Sequence, residues 1–155
     1  MKSFVTIVFF TLFLCLSACN PMHTKVEGDS VNYAPANCVK AMSPCTLITQ
    51  TGRYAIAVNV KKIITEQPFL IYVSYLGARH INNISGYLEG KTMYMGKIPL
   101  SFTLDNQHRF TAKTMLGMCT EQQMTWRIVL MVDLKNDGTS ASKQLLQYEF
   151  QSSNH

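Results

Sequence analysis

The feature that most constrains this chain is the alternation of apolar and polar side chains in its second two thirds. Apolar residues recur at every second position within 53–62, 125–134 and 145–150. A period of two is typical of a half-buried β-strand, and no segment after residue 45 keeps a helical period. The residues predicted to share one face of their strands are Tyr54, Ile56, Val58 and Val60, then Trp126, Ile128, Leu130 and Val132, and finally Leu146, Tyr148 and Phe150.

Short strand-like segments follow one another with turn signals between them. They span 45–50, 53–62, 68–76, 80–88, 92–104, 110–118, 125–134 and 145–150. Glu89-Gly90 is a turn signal and Asn136-Asp137-Gly138 is a strong one, and Pro99 places its segment at a sheet edge or bulge. Seven to eight such strands predict an all-β domain, an antiparallel immunoglobulin-like β-sandwich over residues 45–155.

The N-terminus has the features of a signal sequence. Lys2 precedes a nearly unbroken apolar run over 4–16, which is too short for an ordinary membrane-spanning helix. Leu16-Ser17-Ala18-Cys19 resembles the bacterial lipobox. The resemblance implies that residues 1–18 form a lipoprotein signal peptide and that Cys19 receives a diacylglyceryl group. The segment after it, up to residue 44, lacks sustained periodicity and contains three prolines, so residues 19–44 are predicted to be the lipidated terminus and a tether that is partly ordered near Cys38.

Such an anchor would hold the domain at a membrane of the cell envelope. Each buried methylene of an acyl chain contributes about 0.8 kcal/mol, so several chains attach a protein essentially permanently. Asn20, rather than an aspartate, follows Cys19. In enteric bacteria an aspartate there marks inner-membrane retention, so the sequence favours the outer membrane, facing the periplasm.

Three cysteines remain after the anchor, and an oxidising compartment favours a disulfide. Cys45–Cys119 would close a long loop, whereas Cys38–Cys45 would close a small local one. Cys45 and Cys119 both lie at the edges of strand-like segments, which favours the first pairing. Cys38 lies in a looser, polar stretch.

Neither catalysis nor nucleic-acid binding is indicated. The chain lacks the common hydrolase, metalloprotease, phosphate-loop and dinucleotide motifs. Its net charge of +5 is scattered in short steps such as Lys61-Lys62, without the clustered basic patch of a nucleic-acid-binding protein. Weak attraction to anionic headgroups or cell-wall polymers is compatible with this charge.

Methionine is the unusual residue of this composition, with nine in the chain. Met93 and Met95 are expected on one face of a strand, and Met124 follows the polar loop after Cys119. Thioethers suit Cu(I), so Met93, Met95 and Met124 are candidate ligands, with Trp126 able to cover them. Methionine also fills irregular gaps in cores, and core packing is the favoured interpretation.

One stretch resembles a known pattern. Gly90-Lys91-Thr92-Met93-Tyr94-Met95-Gly96, followed by Leu116-Gly117-Met118-Cys119 and Met124-Thr125-Trp126, looks like a motif of small uncharacterised secreted proteobacterial proteins. In outline these are similar to FixH/YtkA-like immunoglobulin-type domains, which are often linked with copper handling. The resemblance covers about residues 86–130 and implies a cluster of Met93, Met95, Cys119 and Met124, with Cys45 as partner of Cys119. No histidine accompanies the methionines here.

The sequence thus predicts a non-catalytic, periplasm-facing lipoprotein that acts as a binding or interaction module. Its expected partners are the membrane, through the lipid, and another envelope protein, and no cofactor is expected. The alternative is a periplasmic Cu(I)-binding or copper-delivery protein that uses the methionines.

Overall fold

The structure is a computed structural model that describes residues 31–40, 43–135 and 142–154. The predicted signal peptide, Cys19, the first part of the tether and the Asn136-Asp137-Gly138 turn lie outside the described residues. Within the described ranges, no helix has the length and apolar character needed to cross a bilayer.

Eleven strands are present in the described part of the chain. They are β1 (Val31–Tyr33), β2 (Cys45–Thr49), β3 (Gly52–Val58), β4 (Ile63–Ile64), β5 (Phe69–Leu76), β6 (Ile81–Gly90), β7 (Lys97–Ser101), β8 (Thr103–Leu104), β9 (Phe110–Thr114), β10 (Gln123–Leu134) and β11 (Ser142–Ser153). The larger number, compared with the predicted seven to eight, comes from the short strands β1, β4 and β8.

These strands form two sheets. The first sheet has the order β1-β11-β10-β6-β7, with β4 also paired to β11, and the second has the order β2-β3-β5-β9-β8. All pairings are antiparallel except those of β1 and β4 with β11. The all-β, two-sheet prediction is confirmed, whereas the immunoglobulin-like assignment stays a prediction.

One hydrophobic core lies between the sheets, and the predicted alternation supplies most of it. Of the eleven residues expected to share strand faces, all are buried except Val60, which is partly buried. Trp126 is 1% exposed and donates a hydrogen bond from Nε1 to Ser152 Oγ at 3.0 Å. Both sheets and this core lie within residues 31–154, so this part has the features of a domain that can fold alone.

The sandwich begins earlier than residue 45, the predicted boundary. Strand β1 pairs in parallel with β11, and the chain continues along the same edge of β11. There the Ala34 and Val39 amides donate to the carbonyls of Gln147 and Glu149, at 2.9 and 3.2 Å. An open strand edge offers unpaired backbone groups, so the segment predicted as a tether pairs with β11 from Val31 onward.

The predicted Cys45–Cys119 disulfide is wrong. Cys38 and Cys45 are joined, with their Cα atoms 5.3 Å apart, and Cys119 is a free thiol. The reason is the path of residues 34–39 along β11, which brings Cys38 beside the start of β2. The local pairing is therefore the one that the structure contains.

Two predicted strands are shorter than expected. The 92–104 segment contains β7 and β8, and residues 91–96 form a loop between β6 and β7. Pro99 lies in β7, which is an edge strand as predicted. Strand β9 ends at Thr114, and β10 belongs to the other sheet, so the loop around Cys119 crosses between sheets and is not a hairpin.

Candidate functional site

The two methionines of the Met93-Tyr94-Met95 stretch do not lie on a strand, contrary to the prediction. They lie in the 91–96 loop, where both are partly buried against the core. Tyr94 between them is 83% exposed. The loop thus packs both methionines against the core and leaves Tyr94 in solvent.

Two glycines shape this loop. A Cβ at Gly90 would collide with the Met124 methyl group and with the Met93 carbonyl oxygen. Gly96 has φ +73°, in the left-handed region that glycine adopts most easily. Close packing at one end and a special backbone angle at the other thus explain why both residues are glycine.

Met93 and Met124 line the same cavity, which we call the methionine cavity. It has a volume of about 310 Å³ and is lined by Thr92, Met93, Glu121, Gln123, Met124, Thr125 and Gln151. Met124 is 3% exposed. The structure therefore brings together two of the three candidate ligands, and Met95 is not among the lining residues.

Cys119 belongs to the loop next to this cavity but does not line it. Its Sγ donates to the Glu121 carbonyl at 3.5 Å. The Asn154 side-chain amide donates to the carbonyls of Cys119 and Glu121, at 2.9 and 2.8 Å, and ties the loop to the end of β11. Among the described residues, no three His, Cys, Asp or Glu side chains are grouped so that they could hold a metal ion.

A second cavity, which we call the basic cavity, adjoins the first and shares Gln123 and Gln151 with it. Its volume is about 380 Å³, which is within the usual range for small-molecule sites. The lining residues are Asn37, Val39, Lys40, Val60, Lys61, Lys62, Ile63, Gln123, Gln151, Ser152 and Ser153.

Strands β1 and β4 pair with the same edge of β11 but leave a gap between them, and the basic cavity lies beside this gap. Strand β1 pairs with β11 as far as Gln147, and β4 pairs with it from Ser152 onward. The segment after β1 forms one wall of the cavity, and the segment before β4 forms the opposite wall. The end of β11 lies between them. The site thus arises because two parallel segments share one strand edge without meeting.

Both walls are held in place. The Cys38–Cys45 disulfide and the Val39 amide fix the wall that carries Lys40. On the other side, Ile63 is buried and the Thr65 amide donates to the Ser153 carbonyl at 3.1 Å. A cavity with such fixed walls needs little ordering when a ligand binds.

Three lysines give this cavity its charge. Lys40 comes from one wall, and Lys61 and Lys62 come from the other; all three are exposed. None of the described lining residues is acidic. Ammonium groups together with amide and hydroxyl side chains form a donor-rich site that suits a carboxylate or phosphate group bearing hydroxyls.

The sequence does not reveal this site, because it places Lys40 in the predicted tether and Lys61-Lys62 in a scattered surface charge. The useful signal was the alternative Cys38–Cys45 pairing, which would have brought Lys40 to the sandwich. Nothing in the local sequence indicates that Lys61 and Lys62 line the same cavity as Lys40.

Away from both cavities, the core contains two tyrosines whose pKa values are raised by burial. Tyr54 Oη lies 3.4 Å from Thr51 Oγ1, a hydrogen bond that partly offsets the effect of burial on its pKa. The Tyr148 hydroxyl is buried without a hydrogen-bond partner among the described residues, and burial raises its pKa well above the usual 10. We assign these tyrosines to packing, since neither lines a cavity described above.

The chain matches no model of a known protein family, and no curated protein or solved structure is significantly similar to it.

Proposed function

We propose that this chain is a lipoprotein of the bacterial envelope whose β-sandwich is a non-catalytic binding module facing the periplasm. Its basic cavity binds an anionic group, a phosphate or carboxylate on a hydroxyl-bearing molecule. The observation that supports this function best is the approach of Lys40, Lys61 and Lys62 around one cavity with fixed walls and no acidic lining residue among those described.

Anionic groups of this class are abundant at an envelope surface, as lipid headgroups and cell-wall polymers. The Leu16-Ser17-Ala18-Cys19 motif supports the anchor, and an anchored domain meets such groups at high local concentration.

The test uses glycerol 3-phosphate as the probe and glycerol as its uncharged match, titrated into the labelled domain of residues 31–155. We expect amide shifts at residues 37–40, 60–63 and 151–153 with glycerol 3-phosphate alone. A dissociation constant of about 1 mM or tighter is expected for a small anion in such a site.

The control variants separate this cavity from general surface charge. Lys61→Gln/Lys62→Gln should remove the shifts, whereas Lys135→Gln/Lys143→Gln, which removes two lysines outside the cavity lining, should leave them unchanged. Equal weakening in both double variants, or shifts spread over the whole surface, would refute a specific site.

The anchor has an independent test. In cells, Cys19→Ser should abolish palmitate labelling and move the protein out of the membrane fraction. A Cys19→Ser protein that still fractionates with membranes would show that the lipid assignment is wrong, whatever the cavity binds.

A second candidate function, Cu(I) binding, is favoured by one observation: Met93 and Met124 line the same cavity. Copper titration under reducing conditions tests it, with Met93→Leu/Met95→Leu as the variant. Stoichiometric binding that the variant loses would support a copper role. Binding weaker than micromolar in the unaltered domain would end it.

A further inference from the structure

The outward face of the first sheet carries a row of four charged side chains, one from each of four neighbouring strands. The register places Glu149 on β11 next to Arg127 on β10, then Glu89 on β6 and Lys97 on β7. The signs alternate along this charge row. Arg127 Nη1 lies 3.1 Å from Glu89 Oε1, and Lys91 Nζ lies 2.7 Å from Glu149 Oε1, so both carboxylates are already paired within the chain.

The same face becomes largely apolar next to the charge row. The following row consists of Tyr33, Gln147, Val129, Tyr87 and Pro99, and the one after it of Val31, Leu145, Met131, Ser85 and Ser101. Tyr33 is 67% exposed and Met131 is 41% exposed, whereas Val129 at the centre of the face is only 2% exposed. Apolar side chains grouped this way on a soluble domain commonly mark an interaction surface.

We propose that this face binds the same face of a second copy of the chain, about a two-fold axis parallel to the strands. Such an axis reverses the order of the strands and keeps each row opposite its own copy. Glu149 then faces Lys97 of the second copy, and Arg127 faces its Glu89. A row of four alternating charges is complementary to itself under this rotation, and the apolar rows meet each other beside it.

The dimensions and charges of the face suit such a dimer. The four strands that overlap across this axis, β11, β10, β6 and β7, lie about 4.8 Å apart and the three rows about 7 Å apart, so the shared face covers roughly 400 Å². This is about half of the roughly 800 Å² that each partner contributes to a standard interface, which is the size of a weak dimer contact. Because Glu89 and Glu149 are already paired, burying the row leaves no carboxylate without a cation. Charges of this kind mainly set the register of an interface.

The test is the oligomeric state of the 31–155 domain, measured by sedimentation and light scattering at about 100 µM, where a weak dimer is still populated. We expect the unaltered domain to dimerise. Lys97→Glu and Glu149→Lys should each be monomeric, because each places like charges opposite each other across the axis.

An equimolar mixture of these two variants should dimerise again, because the two altered residues then face each other with opposite charges, as do the unaltered Glu149 and Lys97. Lys113→Glu, on the outward face of the second sheet, should leave the dimer intact. A monomeric unaltered domain, or a mixture that stays monomeric, would overturn the proposal. Rescue by mixing also shows that both variants fold.

Discussion

The basic cavity and the methionine cavity adjoin each other and share Gln123 and Gln151, yet they differ in how their side chains are held. In the methionine cavity, Met124 is 3% exposed and its methyl group fills the space beside Gly90. In the basic cavity, the lysines are exposed while the backbone beneath them is fixed. Buried side chains in close contact serve stability, whereas exposed charges on a fixed frame, such as those of Lys40 and Lys61, can be reached by a ligand.

This contrast changes the significance of the most distinctive motif in the chain. The Gly-x-x-Met-x-Met-Gly stretch is explained to a large extent by packing, because Gly90 makes room for Met124 and Gly96 turns the loop into β7. The lysines belong to no motif, and it is their approach in space that supports a binding function. Substitutions should therefore affect stability at one cavity and ligand binding at the other.

The largest effect is expected for Gly90→Ala, which tests packing in the methionine cavity. The new methyl group would collide with Met124 and with backbone of Met93, and overpacking of this kind costs about 2–3 kcal/mol. Gly117→Ala is the matched control, because no atom of the residues that the structure describes lies within 4 Å of a Cβ at Gly117. Urea unfolding measures both. Equal free energies of unfolding for Gly90→Ala and the unaltered domain would show that the loop packs loosely.

Removal of the disulfide tests the frame of the basic cavity. Cys38 and Cys45 are seven positions apart in sequence, and a loop of this size predicts a loss of about 2 kcal/mol in the free energy of unfolding. Cys38→Ala/Cys45→Ala should also weaken binding of glycerol 3-phosphate, since Lys40 loses its support. Cys119→Ala is the control. A peptide that links Cys45 to Cys119 in mass spectrometry would contradict the frame described here.

A core residue outside both cavities should show the opposite effect, a gain in stability when it is substituted. Tyr148→Phe removes a buried hydroxyl that has no hydrogen-bond partner in the described part of the chain, so we expect a gain of about 1 kcal/mol in the free energy of unfolding. Tyr54→Phe, which loses its bond to Thr51, should give no gain. A loss of stability in Tyr148→Phe would indicate a hydrogen bond to this hydroxyl.

The same tyrosine predicts a pH dependence. Burial raises the pKa of Tyr148 in the folded state above the value of about 10 in the unfolded chain. The folded state then keeps a proton that the unfolded state loses, so the free energy of unfolding should decrease as the pH rises above about 10. Unfolding curves at pH 8 and pH 11 should show a smaller decrease in the free energy of unfolding for Tyr148→Phe than for the unaltered domain. The contribution of Tyr54 is common to both proteins and cancels in this comparison.

The smallest effect is expected for Met93→Leu, because leucine and methionine have similar volumes and Met93 is only partly buried. We expect a change of about 0.5 kcal/mol or less in the free energy of unfolding, with binding of glycerol 3-phosphate unchanged. Thermal unfolding and the titration described above measure the two quantities. A change in anion affinity would show that the two cavities act as one site.

The sequence predicted the inner faces of the strands well, because a period of two depends only on local residues. The alternation predicts Trp126, Ile128, Leu130 and Val132 on one face, and all four are buried there. The positions that were mispredicted depend on contacts distant in sequence.

Lys40 and Cys38 show this limit most clearly. Both lie in a segment without periodicity, and only the pairing of that segment with β11, more than a hundred residues later, brings them to the sandwich. Likewise, the local sequence does not reveal that the Met124 methyl group occupies the space where a side chain at position 90 would lie. The fold class could therefore be predicted from the sequence, whereas the basic cavity could not.

The most direct test of the central claim compares Lys40→Gln with Met93→Leu in the glycerol 3-phosphate titration of the 31–155 domain. We expect Lys40→Gln to weaken binding about tenfold, because it removes the charge on one wall of the basic cavity, and Met93→Leu to leave the dissociation constant unchanged. Unaltered affinity in Lys40→Gln, or equal weakening in both variants, would contradict the assignment of anion binding to the basic cavity.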